Sequence, residues 1–237
     1  MAAMAAGGAV YGDLSGARAL VTGASGGIGA EIARALGRQG ARVAVAYHTR
    51  PDGAREVAQR IRADAGGSKA AAVVLRADLR SASAAEALFD AAVERLGAVD
   101  IVVNNAGIVL KGHSEDCGVD HFDDITAVNL RAPYLLSRKL AAHKRARDAD
   151  GGGVGEAACG CSVINNTSIH GTLSAEYMGL YAMTKVRGPR GAWLAESACL
   201  RGRYAMLIWP SVSRTAMPSR PLRERQTPCA SGSSFVA

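Results

Sequence analysis

The stretch Thr22-Gly-Ala-Ser-Gly-Gly-Ile-Gly29 decides the fold, because its glycines lie where a strand signal gives way to a helix signal. The apolar run Arg18–Thr22 precedes it, and the amphipathic segment Ile28–Gln39 follows. Glycines allow a tight turn and a close approach of the backbone to a phosphate, and the free N–H groups of a helix N-terminus attract anions. This order predicts a pyrophosphate-binding turn, with contacts expected from Gly23, Ser25, Gly27, Ile28 and Gly29.

Strand and helix signals alternate along the first two-thirds of the chain. Such alternation predicts right-handed βαβ units, and hence an α/β, Rossmann-like, doubly wound parallel sheet with helices on both faces. About six strands are expected, and no seventh. The predicted strands are Arg18–Thr22, Arg42–Tyr47, Ala71–Arg76, Asp100–Asn104, Ser162–Asn166 and Tyr204–Trp209, and the predicted helices are Ile28–Gln39, Asp52–Ala65, a segment from the N-cap Ser81 to Leu96, and His121–Arg147.

Composition narrows the classes of protein that the chain can belong to. It has 237 residues, of which 49% are hydrophobic and 21% charged, which suits one substantial globular domain. No apolar run reaches the roughly 18 residues that a membrane span needs, so no membrane association is expected. The net charge of +7 favours an anionic cofactor, and without aromatic residues interleaved among the basic ones nucleic acid is not an expected partner.

The cysteines indicate the compartment. Cys117, Cys159, Cys161, Cys199 and Cys229 are odd in number and irregular in spacing. Cys159-Gly-Cys161 is one residue too short for a Cys-x-x-Cys pair, and no second pair matches it. A reducing, cytoplasmic location and no bound metal are therefore expected.

The end of the second predicted strand bears on the choice of cofactor. An NAD-preferring site places a carboxylate there to hold the ribose hydroxyls, but this chain has Tyr47 and no acidic residue before Asp52. His48, Thr49 and Arg50 offer donors for a 2′-phosphate instead. NADP(H) is therefore favoured over NAD(H), although Arg50 as a solvated loop charge is the alternative.

A tyrosine and a lysine four residues apart, Tyr181 and Lys185, form the second informative pattern, with Ser168 thirteen positions before the tyrosine. On a helix, residues at this spacing share one face. An ammonium group beside a phenol favours the phenolate, so such a pair suits proton exchange near neutral pH. Alone the spacing is common, and most such pairs are solvated helix faces.

Together these motifs resemble the short-chain dehydrogenase/reductase family, and the match runs from about Leu14 to Lys185. The residues that carry it, in order, are the glycine turn, Asp78, Asn104-Asn-Ala-Gly107, Asn129, Ser168, Tyr181 and Lys185. The resemblance implies that Tyr181 is the general acid of carbonyl reduction, and that Lys185 supports it and binds the nicotinamide ribose. It also implies that Ser168 polarises the carbonyl group and that Asn129 holds a water linked to Lys185. Further cofactor contacts are implied for Asp78, Leu79, Asn105, Ala106, Gly107, Pro210, Ser211 and Thr215.

Beyond Lys185 the sequence departs from the family pattern. Pro189 stands four residues after Lys185, where proline removes a helical hydrogen bond at a cost of roughly 3 kcal/mol. Pro210-Ser-Val-Ser-Arg-Thr215 resembles the family's Pro-Gly-x-x-x-Thr segment, with Ser211 replacing its glycine. Residues 1–217 are predicted to form one domain, and the Arg-, Ser- and Pro-rich residues 218–237 a disordered or loosely packed tail.

The leading hypothesis is an NADP(H)-dependent oxidoreductase acting on a small carbonyl or secondary-alcohol substrate, similar to 3-oxoacyl-thioester reductases or glucose dehydrogenases. A homodimer or homotetramer is its expected assembly. The first alternative is a catalytically impaired NADP-binding sensor or scaffold, because of Pro189 and the short C-terminal region. A truncated or frame-shifted gene is a further hypothesis for that region. The remote alternative is a nucleic-acid binder that uses Arg214, Arg220, Arg223 and Arg225.

Overall fold

In the part of the chain that the structure describes, five parallel strands in the order β3-β2-β1-β4-β5 form a central sheet. The computed structural model describes residues 14–64, 71–109, 113–149, 161–173 and 177–185. The expectation of a parallel, doubly wound α/β sheet is confirmed. The predicted strand Tyr204–Trp209 lies outside the described residues. The strands are β1 (Arg18–Val21), β2 (Arg42–Tyr47), β3 (Ala72–Arg76), β4 (Ile101–Asn104) and β5 (Ser162–Asn165).

Within the described residues, six α-helices connect or follow these strands. Most begin and end within two residues of the predicted positions, and the Ser81 side chain caps the third helix as expected by accepting a hydrogen bond from Ala84 N. The single long helix predicted over His121–Arg147 is wrong in one respect, because a π-helical turn, Ala127–Arg131, interrupts it. The helices are α1 (Gly27–Arg38), α2 (Pro51–Asp64), α3 (Ala82–Leu96), α4 (Val119–Thr126), α5 (Ala132–Ala149) and α6 (Gly179–Lys185).

The sheet is apolar on both faces, and a separate core lies on each. In β2, Val43 and Val45 point into the core beneath α1 and α2, whereas Ala44 and Ala46 point into the core beneath α3 and α5. Side chains alternate along a strand, so a strand buried on both sides must be apolar throughout. Because the helices change faces between β1 and β4, a crevice is expected at the carboxyl ends of these two strands, where ligands of such sheets bind.

The opposite, amino-terminal edge of the sheet is fastened by Asp100, whose side chain is 4% exposed. Its carboxylate accepts hydrogen bonds from the Arg18 backbone N–H at 3.1 Å and from the Arg147 guanidinium at 2.6 Å. Because Arg147 is bound to Asp100, the end of α5 at Ala149 lies at this amino-terminal edge of the sheet. The strand β5 begins at the same edge with Ser162. Among the described helices, none is both long enough and apolar enough to cross a membrane.

Candidate active site

The hydroxyl group of Thr22 joins the glycine turn to the segment that follows β4. Its oxygen accepts hydrogen bonds from the backbone N–H groups of Asn105 and Ala106, both at 3.0 Å, and the hydroxyl group donates to the Val103 carbonyl at 3.2 Å. Thr22 itself is buried. These hydrogen bonds therefore join the two loops at the carboxyl edge of the sheet, and the joined loops are called the rim below.

The glycine turn has the shape that a bound pyrophosphate requires. Gly23 has a φ of +64°, and an added Cβ would lie 2.9 Å from the Ala106 Cα atom. At Gly29 an added Cβ would lie 2.5 Å from the Gly23 carbonyl oxygen and would overlap the Asn105 Nδ2 atom. The chain thus folds back on itself with no room for side chains, and the N-terminus of α1 remains open, with Ile28 48% exposed. These features fit a dinucleotide phosphate.

Arg50 lies directly over this turn. Its Nη1 and Nη2 atoms both lie 3.0 Å from the position that a Cβ atom on residue 26 would occupy. A side chain larger than that of Gly26 would therefore crowd the guanidinium. Within the described part of the chain no carboxylate forms an ion pair with it. Tyr47, by contrast, packs partly buried against the core beneath α1 and α2, and Thr49 is exposed beside Arg50. An exposed, uncompensated guanidinium at the phosphate turn fits a 2′-phosphate.

Asp78 follows β3 and is held by two basic side chains. The Arg80 guanidinium donates to Asp78 Oδ1 at 3.0 Å and to Oδ2 at 2.8 Å, and His48 Nε2 lies 3.5 Å from Oδ2. The hydrogen bonds from Arg80 hold the pKa of Asp78 at about 2. The carboxylate is therefore ionised at neutral pH and is available as an acceptor for an adenine amino group. Leu79 packs against the core beneath α3 and α5.

Asn129 lies inside the π-helical turn and is almost fully buried. Its Oδ1 atom accepts from Ile108 N at 2.9 Å, and its Nδ2 atom donates to Ile108 O at 3.0 Å and to Thr184 Oγ1 at 3.0 Å. The Thr184 hydroxyl donates in turn to the Tyr181 carbonyl at 2.8 Å. A π-helical turn widens the helix locally, and such turns are frequent at functional sites. Here it places one amide between the β4 loop and α6.

Lys185 is the last residue of α6, and its ammonium group lies near Gly107, as the Asn129 amide does. Its Nζ atom donates to the Asn166 carbonyl at 3.2 Å and lies 5.7 Å from the centre of the Tyr181 ring. A Cβ added to Gly107 would lie 3.6 Å from this Nζ and 3.3 Å from Asn129 Oδ1. Burial lowers the pKa of the lysine, since removal from water penalises the ammonium form.

Ser168 lies just after β5 and begins a short 3₁₀ turn, Ile169–Gly171. Its hydroxyl oxygen accepts a hydrogen bond from His170 N at 3.3 Å, which leaves the hydroxyl proton free to donate. The His170 ring stands edge-on to the Tyr181 ring, with the two centres 6.1 Å apart. The loop that carries Ser168 is thus packed against α6.

The structure brings Asn129, Tyr181, Lys185 and Gly107 together. The family motif did not single out Thr22, Asn166 or Thr184 as site residues. Thr22 and Thr184 are adjacent to the motif residues Gly23 and Lys185, and Asn166 lies two positions before Ser168. Four residues that the sequence singles out, Pro189, Pro210, Ser211 and Thr215, lie outside the described residues. Within the described ranges, no group of three or more His, Cys, Asp or Glu side chains is arranged to hold a metal ion.

A doubly wound sheet, a glycine turn that opens α1 and a lysine–tyrosine pair near Gly107 are features shared with dinucleotide-binding oxidoreductases. The short chain dehydrogenase family model matches residues 17–188, and the chain belongs to this family.

Individual relatives support the same assignment. The chain is similar to versicolorin reductase stcU of Emericella nidulans, with 43% identity over 132 residues, which are 56% of this chain and 48% of the relative. It is also similar to 3beta-hydroxysteroid dehydrogenase 1 of Eggerthella lenta, with 34% identity over 176 residues, 74% of this chain and 62% of the relative. A short chain dehydrogenase from Burkholderia cenocepacia, solved in complex with NADP, has a TM-score of 0.63 and 35% identity, and the match covers 73% of this chain and 64% of that one. The chain thus spans between about half and two-thirds of these relatives.

Proposed function

We propose that the protein is an NADP(H)-dependent oxidoreductase that interconverts a carbonyl group and a secondary alcohol. The proposal rests on one observation: the Lys185 ammonium and the Asn129 amide both lie next to Gly107. The centre of the Tyr181 ring is 5.7 Å from the same ammonium. Gly107 follows the β4 segment that is bonded to the glycine turn through Thr22. These contacts support a proposed proton donor, Tyr181, that lies beside the proposed phosphate site.

In the proposed reaction the bound nicotinamide supplies the hydride, and the protein handles the proton. The Tyr181 hydroxyl group donates a proton to the carbonyl oxygen of the substrate, and the Ser168 hydroxyl group donates a hydrogen bond to the same oxygen. The Lys185 ammonium stabilises the resulting phenolate and binds the ribose hydroxyls. Asn129 fixes the end of the β4 loop at Ile108, so that Gly107 keeps its distance from Lys185.

The preference for NADP(H) is proposed from Arg50 and from the absence of a carboxylate at Tyr47. Arg50 lies against Gly26, and its neighbours His48 and Thr49 add donors at the end of β2. Asp78, Leu79, Asn105 and Ala106 are proposed to line the adenosine half of the cofactor. The NADP bound to the Burkholderia cenocepacia relative agrees with this proposal.

A ketone or secondary alcohol on a small organic molecule is the proposed substrate, since one relative is a reductase and another a 3beta-hydroxysteroid dehydrogenase. One domain over residues 1–217, a cytoplasmic location, and a homodimeric or homotetrameric assembly complete the proposal.

The catalytic role is tested by expressing the full chain and following NADPH oxidation with a panel of ketones and ketoacyl thioesters. Tyr181→Phe is expected to abolish turnover and to leave NADPH affinity nearly unchanged, because only the reacting hydroxyl group is removed. Tyr134→Phe on α5 is the matched control, since that ring is 54% exposed. Near-normal turnover by Tyr181→Phe would contradict the proton-donor role, and NADPH binding without turnover on any substrate would favour the sensor or scaffold.

The cofactor preference is tested with Arg50→Ala. A charge-assisted hydrogen bond contributes about 1.5–3 kcal/mol, so NADPH is expected to bind about 10- to 100-fold more weakly while NADH affinity changes little. Arg55→Ala is the control for net charge, because Arg55 is exposed and already paired with Asp52 at 2.7 Å. Equal losses for the two cofactors would contradict the 2′-phosphate role of Arg50.

A further inference from the structure

A continuous series of hydrogen bonds runs from the glycine turn to Lys185 through two side-chain amides. The Asn105 amide group donates to Thr22 O at 2.9 Å and to Gly23 O at 3.2 Å. Its carbonyl oxygen accepts from Asn166 Nδ2 at 2.9 Å. The backbone carbonyl of Asn166 then accepts from Lys185 Nζ at 3.2 Å.

Asn166 is held from two directions at the point where β5 ends. Its backbone N–H donates to Asn104 O at 2.9 Å, and its side chain donates to Asn105. Because these bonds hold Asn166 on β4 and on the residue that follows it, we expect its carbonyl oxygen to keep its direction toward Lys185. A partly buried ammonium depends on such acceptors, because it has lost water.

We propose that Asn166 is a positioning residue that couples the phosphate-binding turn to Lys185. This inference rests on the proposed function, in which Lys185 supports the proton donor. The Asn166 side chain does not react. It positions the Asn166 backbone carbonyl that binds Lys185, and through Asn105 it moves with the glycine turn. A binding event at the turn and the proton chemistry at α6 are then linked by three hydrogen-bonded steps.

The neighbouring residue provides a control within the same pair of strands. Asn165 Oδ1 accepts from Asn104 Nδ2 at 2.8 Å, so it makes the same kind of bond between β4 and β5. Among the described residues no side-chain hydrogen bond joins Asn165 to Lys185 or to the glycine turn. Loss of the Asn165 bond is therefore expected to weaken the pairing of β4 with β5 and to leave the hydrogen bond of Lys185 in place.

The test compares Asn166→Leu, Asn166→Ala and Asn165→Leu in the full chain. Leucine has the same number of side-chain heavy atoms as asparagine but no amide group, and alanine removes the amide group without adding bulk or charge. Both Asn166 variants are expected to lower kcat about tenfold or more and to move the alkaline limb of its pH profile to lower pH, because Lys185 loses its aligned acceptor. Asn165→Leu is expected to leave the pH profile in place.

A second readout keeps the inference separate from the proposed activity. The Lys185 ammonium is titrated by NMR in protein labelled at the lysine side chains, with Lys185→Met to assign its signal. A lower pKa of Lys185 in both Asn166 variants, and an unchanged one in Asn165→Leu, supports the coupling even if no substrate is turned over. An unchanged Lys185 titration in the Asn166 variants overturns it, as do equal shifts in all three variants, since either result reduces Asn166 to a sheet-stabilising residue.

Discussion

Gly29→Ala is the sharpest probe of the rim that joins the glycine turn to β4. The new methyl group would lie 2.5 Å from the Gly23 carbonyl oxygen and would overlap the Asn105 amide nitrogen. Overpacking costs about 1–3 kcal/mol, and displacing Asn105 from its two carbonyl acceptors costs about 0.5–1.5 kcal/mol for each bond. Alanine regains about 1 kcal/mol as a better helix former than glycine. The expected net loss of unfolding free energy is about 3 kcal/mol.

The assay combines urea unfolding with a titration of NADPH. We expect Gly29→Ala to bind NADPH at least tenfold more weakly, because the turn must open to accept the methyl group. Gly97→Ala is the control, since its φ of +87° makes alanine strained by about 1–2 kcal/mol while no atom lies within 4 Å of the new Cβ. Its NADPH affinity should stay normal. Unchanged affinity and stability in Gly29→Ala would refute the close packing of turn and β4 loop.

Three further predictions concern single side chains. Ser81→Ala should lower the unfolding free energy by about 1 kcal/mol, measured by urea unfolding, because the N-cap of α3 is lost. Asp78 has a pKa of about 2 in the folded protein, below its unfolded value of 3.8, so the ionised carboxylate stabilises the fold above about pH 4 and this effect is lost as the pH falls toward 2. Asp78→Asn also loses the ion pair with Arg80. In this variant the midpoint of urea unfolding should depend less on pH between about 4 and 2. Burial raises the pKa of the Cys161 thiol to about 11, so peptide mapping should find it alkylated far more slowly at pH 8 than the half-exposed Cys117.

The order of strands and helices was predictable because each buried strand is a local apolar run. Val43 to Ala46 are apolar at every position, which is possible only for a strand covered on both faces. The cap at Ser81 was predictable for the same reason, since it depends on a bond to a residue three positions away.

The interruption at Asn129 was not predictable, because nothing local distinguishes a π-helical turn from an α-helix in that segment. The turn is accompanied by bonds to Ile108, which is 21 positions away, and to Thr184, which is 55 positions away. Asn166 was overlooked for a similar reason: its importance lies in partners on β4 and α6 rather than in its own chemistry. Sequence patterns identify residues that react, whereas residues that hold them are defined by contacts between distant segments.

The connection between Ala149 and Ser162 has a practical consequence. Both residues lie on the edge of the sheet that Asp100 fastens, whereas the glycine turn, Lys185 and Tyr181 lie on the other. A tag, fluorophore or resin linkage attached at the exposed end of α5 would therefore lie on the edge opposite the proposed active site. An immobilised form of the protein attached there should keep its access to small molecules.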